Sequence, residues 1–265
     1  MPHIYKGNLE VSACSATMSQ MDDTTRNLVD TYQTPKDVID RLKDIRTVIF
    51  TGITGAGKDT IINAMMNDTR FTKVVTSTTR LPRENNGIME REGVEYYFLT
   101  IEQAQQKIEG GEYIEVNDVH GRVNGSLIKE YERIAQSGTV ALTAIDYQGA
   151  NNFLEFGMEH LTVLFIVPPN FTTWLQRLGG RHGGLESDKA EILNRMGSAE
   201  KEIEHALQDS RFVPVMNVDF NASAKKIASI VLDGELPTKQ EIEDSHAVLR
   251  QLLADLRQYQ ASPNE

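Results

Sequence analysis

The hydrophobic positions of the chain fall into short runs that predict strands alternating with helices. Thr47–Thr51 is predicted to be a strand, and residues 140–145 and Leu161–Val167 are continuously apolar, which is typical of strands buried on both faces of a parallel sheet. Phe212–Met216 is predicted to be the last strand. Helical segments separate these runs. This alternation of strands and helices along the chain predicts an α/β fold whose parallel sheet is covered by helices on both faces.

Between the first two of these strands the pattern changes to shorter, alternating runs. Residues 73–76, 94–99 and 112–116 are predicted to be strands, and the first two bracket a polar loop that contains two arginines. Thr100 and Gln103 form a capping-box pattern. We therefore expect a helix to begin directly after Thr100.

Both ends of the chain lie outside this alternation. Residues 1–34 are polar and have no sustained period, which predicts an extended or disordered leader; a short element docked on the body is the alternative. Pro35 is predicted to open a short helix over Lys36–Leu42. Beyond Pro237 an apolar stripe predicts a C-terminal helical extension over residues 234–265. We expect that stripe to pack on the core rather than to form a dimer zipper.

Composition and charge narrow the classes of function. The 265 residues carry a net charge of −11, which argues against a general nucleic-acid or anionic-membrane surface. The single cysteine, Cys14, excludes an intrachain disulfide. No apolar stretch reaches the roughly 20 residues that span a bilayer, and no signal-like apolar segment follows Met1. These features predict a cytoplasmic protein without nucleic-acid or membrane partners.

A glycine-rich loop follows the first strand directly. Gly52, Gly55 and Gly57 precede Lys58 and a predicted helix, which is the context of a phosphate-binding loop rather than of a turn without a ligand. In such a loop the backbone N–H groups and the helix N-terminus wrap a phosphate chain, and the lysine reaches the outer phosphates. Asp59 stands where the motif normally has Ser or Thr. Its carboxylate either ligates magnesium or points away from the site.

The motifs beyond this loop occur in an order that resembles guanylate kinase. From the loop to about residue 231 the resemblance covers roughly two-thirds of the chain. The matching segments are TSTTRLPR (residues 76–83), GVEY (93–96), GEYIE (111–115), GS (125–126), IDYQG (145–149) and VPP (167–169), with Arg177, Arg181, Arg195 and Asn217 after them.

The resemblance implies a fold, a division into domains and an activity. The fold is a P-loop NTPase-type parallel sheet with a small mixed β subdomain that binds GMP and with a helical lid. The guanylate-kinase-like domain covers residues 35–233, with its core at 46–75 and 133–233, the nucleotide-acceptor subdomain at 76–132 and the lid at 178–196. The activity is the transfer of phosphate from ATP to GMP, or to dGMP, with magnesium, in purine nucleotide metabolism.

The resemblance also implies a role for each candidate site residue. Arg80 and Arg83 flank Pro82, which stiffens the turn so that both guanidinium groups converge on one phosphate monoester, to which Tyr96 donates its phenol. Glu115 reads the base, because an ionised carboxylate accepts from guanine N1–H and N2–H₂ and repels the acceptor at adenine N1. The other implied roles are catalysis for Lys58, Arg177, Arg181 and Arg195; ATP binding for Gly52, Thr54, Gly55, Ala56, Gly57, Lys58, Asp59, Thr60 and Asn217; GMP binding for Thr76, Asn124, Ser126 and Asp146; and metal binding for Asp59.

Several positions depart from the family pattern. Asn124 stands where the family has a second phosphate-binding tyrosine, and the loop over residues 84–92 is longer than usual. Ala144 replaces an acidic residue near the metal, and we hypothesise that Asp59 takes over its coordination. The alternatives are a ribose bisphosphate phosphokinase, in which Asp can follow the loop lysine, and a non-catalytic guanylate-kinase-like binding module. The oligomeric state stays open, and a homodimer is compatible with the sequence.

Overall fold

The protein is described by a computed structural model over residues 21–85, 87–180 and 189–261. Its helices are α1 (Asp23–Thr31), α2 (Lys36–Leu42), α3 (Lys58–Met65), α4 (Ile101–Glu109), α5 (Ile128–Ser137), α6 (Tyr147–Glu155), α7 (Phe171–Gly180), α8 (Lys189–Gln208), α9 (Phe220–Asp233) and α10 (Lys239–Ala261). Its strands are β1 (Thr47–Thr51), β2 (Phe71–Lys73), β3 (Ser77–Thr78), β4 (Glu84–Asn85), β5 (Ile88–Met89), β6 (Tyr97–Phe98), β7 (Tyr113–Val119), β8 (Arg122–Leu127), β9 (Val140–Ala144), β10 (Leu161–Val167) and β11 (Phe212–Met216).

The central sheet has five strands in the order β11-β10-β1-β9-β2, and all neighbouring pairs are parallel. Every residue of β1 is buried, because side chains on both faces of this strand are covered. The predicted α/β fold of the P-loop NTPase type is confirmed. Because the strands are parallel, their carboxyl ends meet at one edge, and the loop after β1 lies there beside the ends of β9 and β11.

A second, four-stranded sheet has the order β6-β3-β8-β7 and is mixed, since β3 is parallel to β6 and antiparallel to β8. This is the small mixed β subdomain that the sequence predicts. The bounds of three strands differ from the prediction, and one of them, β7, continues to Val119 instead of ending at residue 116. Instead of residues 73–76, Phe71–Lys73 forms β2 and joins the central sheet, and only Tyr97–Phe98 of residues 94–99 is a strand. Gly93 adopts a φ of 71°, which places a turn where the longer strand was expected.

The structure corrects the prediction of a leader for residues 21–34, which are the described part of that segment. Residues 23–31 form α1, whose N-terminus is capped by the Asp22 side chain as it accepts from the Thr25 backbone N–H at 2.7 Å. Val29 is buried where α1 packs against α4 and β7. This is the docked element that stood as the alternative, and residues 1–20 lie outside the described residues.

The predictions for α2, α4 and the C-terminal helix agree with the structure. α2 has the predicted bounds, and Thr100 and Gln103 form both hydrogen bonds of the capping box. In α10 the side chains of Leu249, Leu252 and Leu256 are buried in the main core, where the helix packs against α7, α8 and β11. The stripe therefore packs on the core, as expected. No helix in the described ranges is long and apolar enough to cross a membrane.

Candidate functional site

The loop between β1 and α3 has a backbone that only glycine adopts readily. Gly52, Gly55 and Gly57 have φ values of 121°, 88° and 99°. A Cβ atom on Gly52 would lie 2.7 Å from the carbonyl oxygen of Ile166, so a larger residue does not fit. At the end of the loop the Lys58 ammonium donates to the carbonyls of Gly52 and Ile53 and so stays folded over the loop. The loop can therefore turn several backbone N–H groups towards one anion.

Three side chains from distant parts of the chain support this loop. Asn217, at the end of β11, is buried and donates its side-chain amide to the Ala56 carbonyl at 2.7 Å. Trp174 of α7 donates its indole N–H to the Thr54 carbonyl at 2.8 Å, and Arg177 on the next turn reaches the Ala56 carbonyl at 3.5 Å. Asn217 and Arg177, which the resemblance assigns to ATP binding and to catalysis, thus both contact the loop. Trp174 was not predicted, although it is the only tryptophan of the chain.

The arginine predicted to bind the acceptor phosphate is held by a carboxylate from the long loop after β3. Arg80 Nη1 and Nη2 donate to the Glu90 carboxylate oxygens at 2.6 and 2.9 Å, in a bidentate pair that is largely buried. The Arg80 guanidinium also lies over the Tyr96 ring, 4.8 Å from its centre. Glu90 accepts in addition from the backbone N–H of Arg83 at 2.9 Å. The structure thus gathers Arg80, Arg83 and Tyr96 around Glu90, which sequence reasoning missed.

This acceptor region faces the glycine-rich loop. Burial raises the pKa of the Tyr96 phenol, and the negative charge of Asp59 raises it further. Asp59 belongs to the first turn of α3 and is half-buried, whereas Thr60 beside it is exposed. Asp59 and Tyr96 are therefore close enough to interact electrostatically. The site predicted for the ATP phosphates thus lies next to the site predicted for the acceptor phosphate.

A buried carboxylate lies in the cleft between β7 of the smaller sheet and the N-terminus of α6. Glu115 of β7 is only 3% exposed, and burial raises its pKa to about 8. Its Oε2 accepts from the Asn117 amide at 2.6 Å, whereas Oε1 has no hydrogen-bond partner among the described residues. Ser126 pairs with Glu115 across the strands, and its buried hydroxyl likewise lacks a partner in the described chain. Buried polar atoms that the protein itself leaves unsatisfied indicate a ligand site.

The N-terminus of α6 packs against Glu115. Asp146 is the N-cap of α6 and accepts from the Gly149 backbone N–H at 2.8 Å. A Cβ atom on Gly149 would lie 3.0 Å from Glu115 Oε2, so the IDYQG motif needs its glycine for this close approach. Burial raises the pKa of the Asp146 carboxyl. Glu115, Ser126 and Asp146, the residues predicted to read the base, thus lie close together. Thr76 directly precedes β3, and Asn124 belongs to β8, which pairs with β3 in the same sheet.

Helix α8 approaches Asp146 and the turn between β7 and β8. The helix contains Arg195, for which catalysis was predicted, and Glu202 two turns later. Burial raises the pKa of Glu202 to about 7. The positive charge of Lys58 lowers this pKa, and the negative charge of Asp146 raises it. Asn194 of α8 lies 3.4 Å from His120 at the turn between β7 and β8. Arg181 lies outside the described residues. The lid over residues 178–196 stays a prediction, and the residues at its two ends, Leu178 and Met196, belong to the core.

Asp59 is the candidate metal ligand beside the loop. Within residues 21–85, 87–180 and 189–261, no group of three or more His, Cys, Asp or Glu side chains is arranged to hold a metal ion. A magnesium ion bound to nucleotide phosphates takes most of its ligands from phosphate oxygens and water, and needs only one or two carboxylates. The half-buried Asp59 fits this requirement.

Comparison with protein-family models matches residues 44–233 to the family described as Guanylate kinase. This match spans more than two-thirds of the 265 residues. The chain belongs to the guanylate kinase family. It is therefore a nucleoside monophosphate kinase, an enzyme that transfers phosphate, and the resemblance drawn from the motifs is confirmed.

Individual relatives agree with this assignment. The chain is 35% identical to a guanylate kinase of Idiomarina loihiensis over 209 residues, which cover 77% of this chain and 94% of the relative. It is 33% identical to a guanylate kinase of Clostridium acetobutylicum, with 70% and 84% covered. A crystal structure of guanylate kinase from Anaplasma phagocytophilum superposes with a TM-score of 0.56 at 27% identity, covering 75% of this chain and 89% of that one.

Proposed function

We propose that this guanylate kinase family member transfers the γ-phosphoryl group of ATP to GMP, giving ADP and GDP, and that it accepts dGMP at the same site. The observation that carries the proposal is the Glu115 carboxylate, which is buried and keeps Oε1 without a partner in the described chain. Guanine presents N1–H and N2–H₂ donors that satisfy an ionised carboxylate. Adenine presents an acceptor at N1, and its binding leaves the carboxylate unpaired at a high cost in free energy.

The acceptor phosphate binds to the opposite end of the same subdomain. Arg80, Arg83 and Tyr96 supply charge-assisted and phenolic hydrogen bonds to it, and Asn124 supplies an amide where the family has a tyrosine. The bidentate pair with Glu90 supports this role, because it fixes the Arg80 guanidinium before substrate arrives. A guanidinium that is already ordered loses less conformational entropy when the phosphate binds.

The transfer itself depends on positioning and on neutralising charge, since the attacking group is a phosphate oxygen that needs no strong general base. The loop N–H groups and Lys58 hold the donor phosphates. Arg177 and Arg195, with Arg181, neutralise the charge that spreads over the transferred group, and an arginine in that role contributes on the order of 10³-fold in rate. The position of Arg177 beside the Ala56 carbonyl supports its assignment.

Magnesium is the metal that we propose for this site, with Asp59 as its ligand from the protein. When bound, the ion neutralises charge on the β- and γ-phosphates. The family places an acidic residue where this chain has Ala144, at the end of β9 and half-buried. We expect Asp59→Ser to lower the affinity for magnesium, and Asp59→Ser combined with Ala144→Asp to restore it. An unchanged magnesium dependence in Asp59→Ala, which leaves no side-chain oxygen at this position, rules out Asp59 as a ligand.

We place the reaction in the cytoplasm, with small molecules as the only substrates. The net charge of −11 supports this, because an acidic surface repels nucleic acids and anionic membranes. Local basic side chains at the cleft then attract the anionic nucleotides against this background.

The test is a turnover assay on the purified full chain with ATP and magnesium. GMP, dGMP, AMP and ribose 1,5-bisphosphate are offered one at a time, and the phosphorylated product is separated by chromatography. We expect turnover with GMP and dGMP, and a kcat/KM for AMP at least 100-fold lower, the scale of discrimination between matched and mismatched polar groups. Turnover of ribose bisphosphate instead, or binding of GMP without turnover, contradicts the proposal.

A further inference from the structure

The side chain next to Glu115 on the same face of β7 is Asn117. Alternate residues of a strand point to one face, so Glu115 and Asn117 are neighbours by geometry. Across the strands they pair with Ser126 and Asn124 of β8. The Asn117 Nδ2 donates to Glu115 Oε2 at 2.6 Å, which is a short hydrogen bond. None of the family motifs found in the sequence includes Asn117.

The two oxygens of the Glu115 carboxylate have different surroundings. Oε2 is enclosed, since Asn117 donates to it and Gly149 approaches so closely that a Cβ atom there would lie 3.0 Å from Oε2 and 3.1 Å from the Asn117 nitrogen. Oε1 has no partner in the described part of the chain. Asn117 thus ties the carboxylate down through one oxygen and leaves the other for a ligand.

The protonation state of this carboxylate decides which purine it fits. An ionised carboxylate only accepts, and so matches the N1–H and N2–H₂ donors of guanine. With Oε2 held by Asn117, a protonated carboxyl presents an O–H at Oε1, and so matches the acceptor at adenine N1. The same side chain can therefore favour GMP or AMP.

The surroundings of Glu115 oppose ionisation. Burial raises its pKa to about 8, and the negative charge of Asp146 adds to this effect. Tyr113 and Tyr131, the other titratable groups that interact with it, have pKa values raised by burial and remain neutral near pH 7. The polar groups of Ser126 nearby and the hydrogen bond from Asn117 lower the pKa of Glu115 and so act in the other direction. The Ser126 hydroxyl can also accept, whereas the Asn117 N–H can only donate.

We propose that Asn117 is a specificity-determining residue, which orients the Glu115 carboxylate through Oε2 and favours the ionised form that selects guanine over adenine. The inference rests on the proposed function, because it concerns the base-reading end of the acceptor site. Asn117 acts through Glu115 and is therefore a positioning residue.

The test compares kcat/KM for GMP and for AMP in wild type, Asn117→Ala and Asn117→Asp, with product separated by chromatography. Asp has the same shape as Asn but an acceptor in place of the donor, so it keeps the packing and repels the carboxylate. Loss of one hydrogen bond to a charged group predicts a GMP/AMP ratio that falls on the order of 10-fold in Asn117→Ala and further in Asn117→Asp. The KM for ATP is expected to stay unchanged, and kcat at saturating GMP to change less than KM for GMP.

Asn124→Ala is the matched control, because Asn124 faces Asn117 across the strands but donates to the Arg122 carbonyl at 3.2 Å and not to Glu115. It is expected to weaken both nucleotides through their phosphate and to leave the ratio unchanged. A ratio within about twofold of wild type in Asn117→Asp overturns the inference, as does an equal fall in Asn124→Ala. If wild type does not phosphorylate GMP, the proposed function fails and the inference with it; if wild type prefers GMP and the ratio does not respond, only the inference fails.

Discussion

Glu115 makes the stability of the free protein depend on pH in a predictable direction. Burial raises the pKa of this carboxyl from its ordinary value of 4.5 to about 8. A group whose pKa is raised on folding stabilises the folded state fully below its unfolded pKa, and this contribution is lost as pH rises through the folded pKa. Stability that depends on a neutral Glu115 is therefore lost between about pH 4.5 and pH 8.

The magnitude follows from the size of the shift. Each pH unit in this window changes the free energy of unfolding by about 1.4 kcal/mol for one proton. Between pH 6 and pH 8 the integrated change is about 2 kcal/mol, because the titration levels off near the folded pKa. Glu115→Gln removes the ionisable group and keeps the shape of the side chain, so it should remove this part of the pH dependence.

The assay is urea unfolding of wild type and Glu115→Gln at pH 6, 7 and 8. We expect wild type to lose about 2 kcal/mol relative to the variant over this range. Asp146 also faces the site and has a raised pKa, but it is present in both proteins and largely cancels in the difference. Saturating GMP should reduce the loss, since guanine donors favour the ionised carboxylate. A difference that stays constant from pH 6 to pH 8 refutes the reasoning.

Three further substitutions test the fold and the loop. Leu252→Ala in α10 should lower the free energy of unfolding by about 2–5 kcal/mol in urea titrations, because Leu252 is fully buried in the core; a loss below about 1 kcal/mol means that α10 is not part of it. Gly57→Ala should lower the affinity for ATP at least about 10-fold in direct titrations, since its φ is 99° and a Cβ atom would collide with Asn217, whereas Gly197→Ala, with open space around it, should not; equal affinities contradict the loop geometry. Asp22→Ala should destabilise α1 by about 1 kcal/mol and speed amide exchange there, and unchanged exchange shows that the cap is not needed.

The parts of the fold that the sequence predicts best are those where one local pattern decides the outcome. Leu161–Val167 and Phe212–Met216 have the predicted bounds, because a strand covered on both faces is apolar throughout. The strands of the smaller sheet are only partly predicted, since several have two residues and their bounds depend on pairing with distant strands. Helix α1 was missed because Val29 becomes part of a core only after α4 and β7 are in place.

The candidate site divides in the same way. Lys58 can be proposed from its own loop motif, whereas the roles proposed for Arg80 and Glu115 depend on the resemblance of several motifs to guanylate kinase. Glu90 and Trp174 cannot be found in this manner. Each acts through a partner that is remote or variably spaced in sequence, so that only the folded chain shows that Glu90 meets Arg80 or that Trp174 reaches the Thr54 carbonyl.

The two halves of the site differ in how far they are prepared for their ligands. In the acceptor half, Glu90 fixes Arg80 and Asn117 fixes Glu115, so the groups that we propose to bind the nucleotide already have partners that orient them. In the donor half, the Lys58 ammonium donates to the Gly52 and Ile53 carbonyls of its own loop, and those hydrogen bonds have to be exchanged for phosphate oxygens. Ordering of the acceptor half lowers the entropic cost of binding GMP, whereas ATP has to rearrange the lysine. We therefore expect substitutions at Glu90 and Asn117 to act mainly on binding of the monophosphate, and binding of ATP to require release of Lys58 from the carbonyls of its loop.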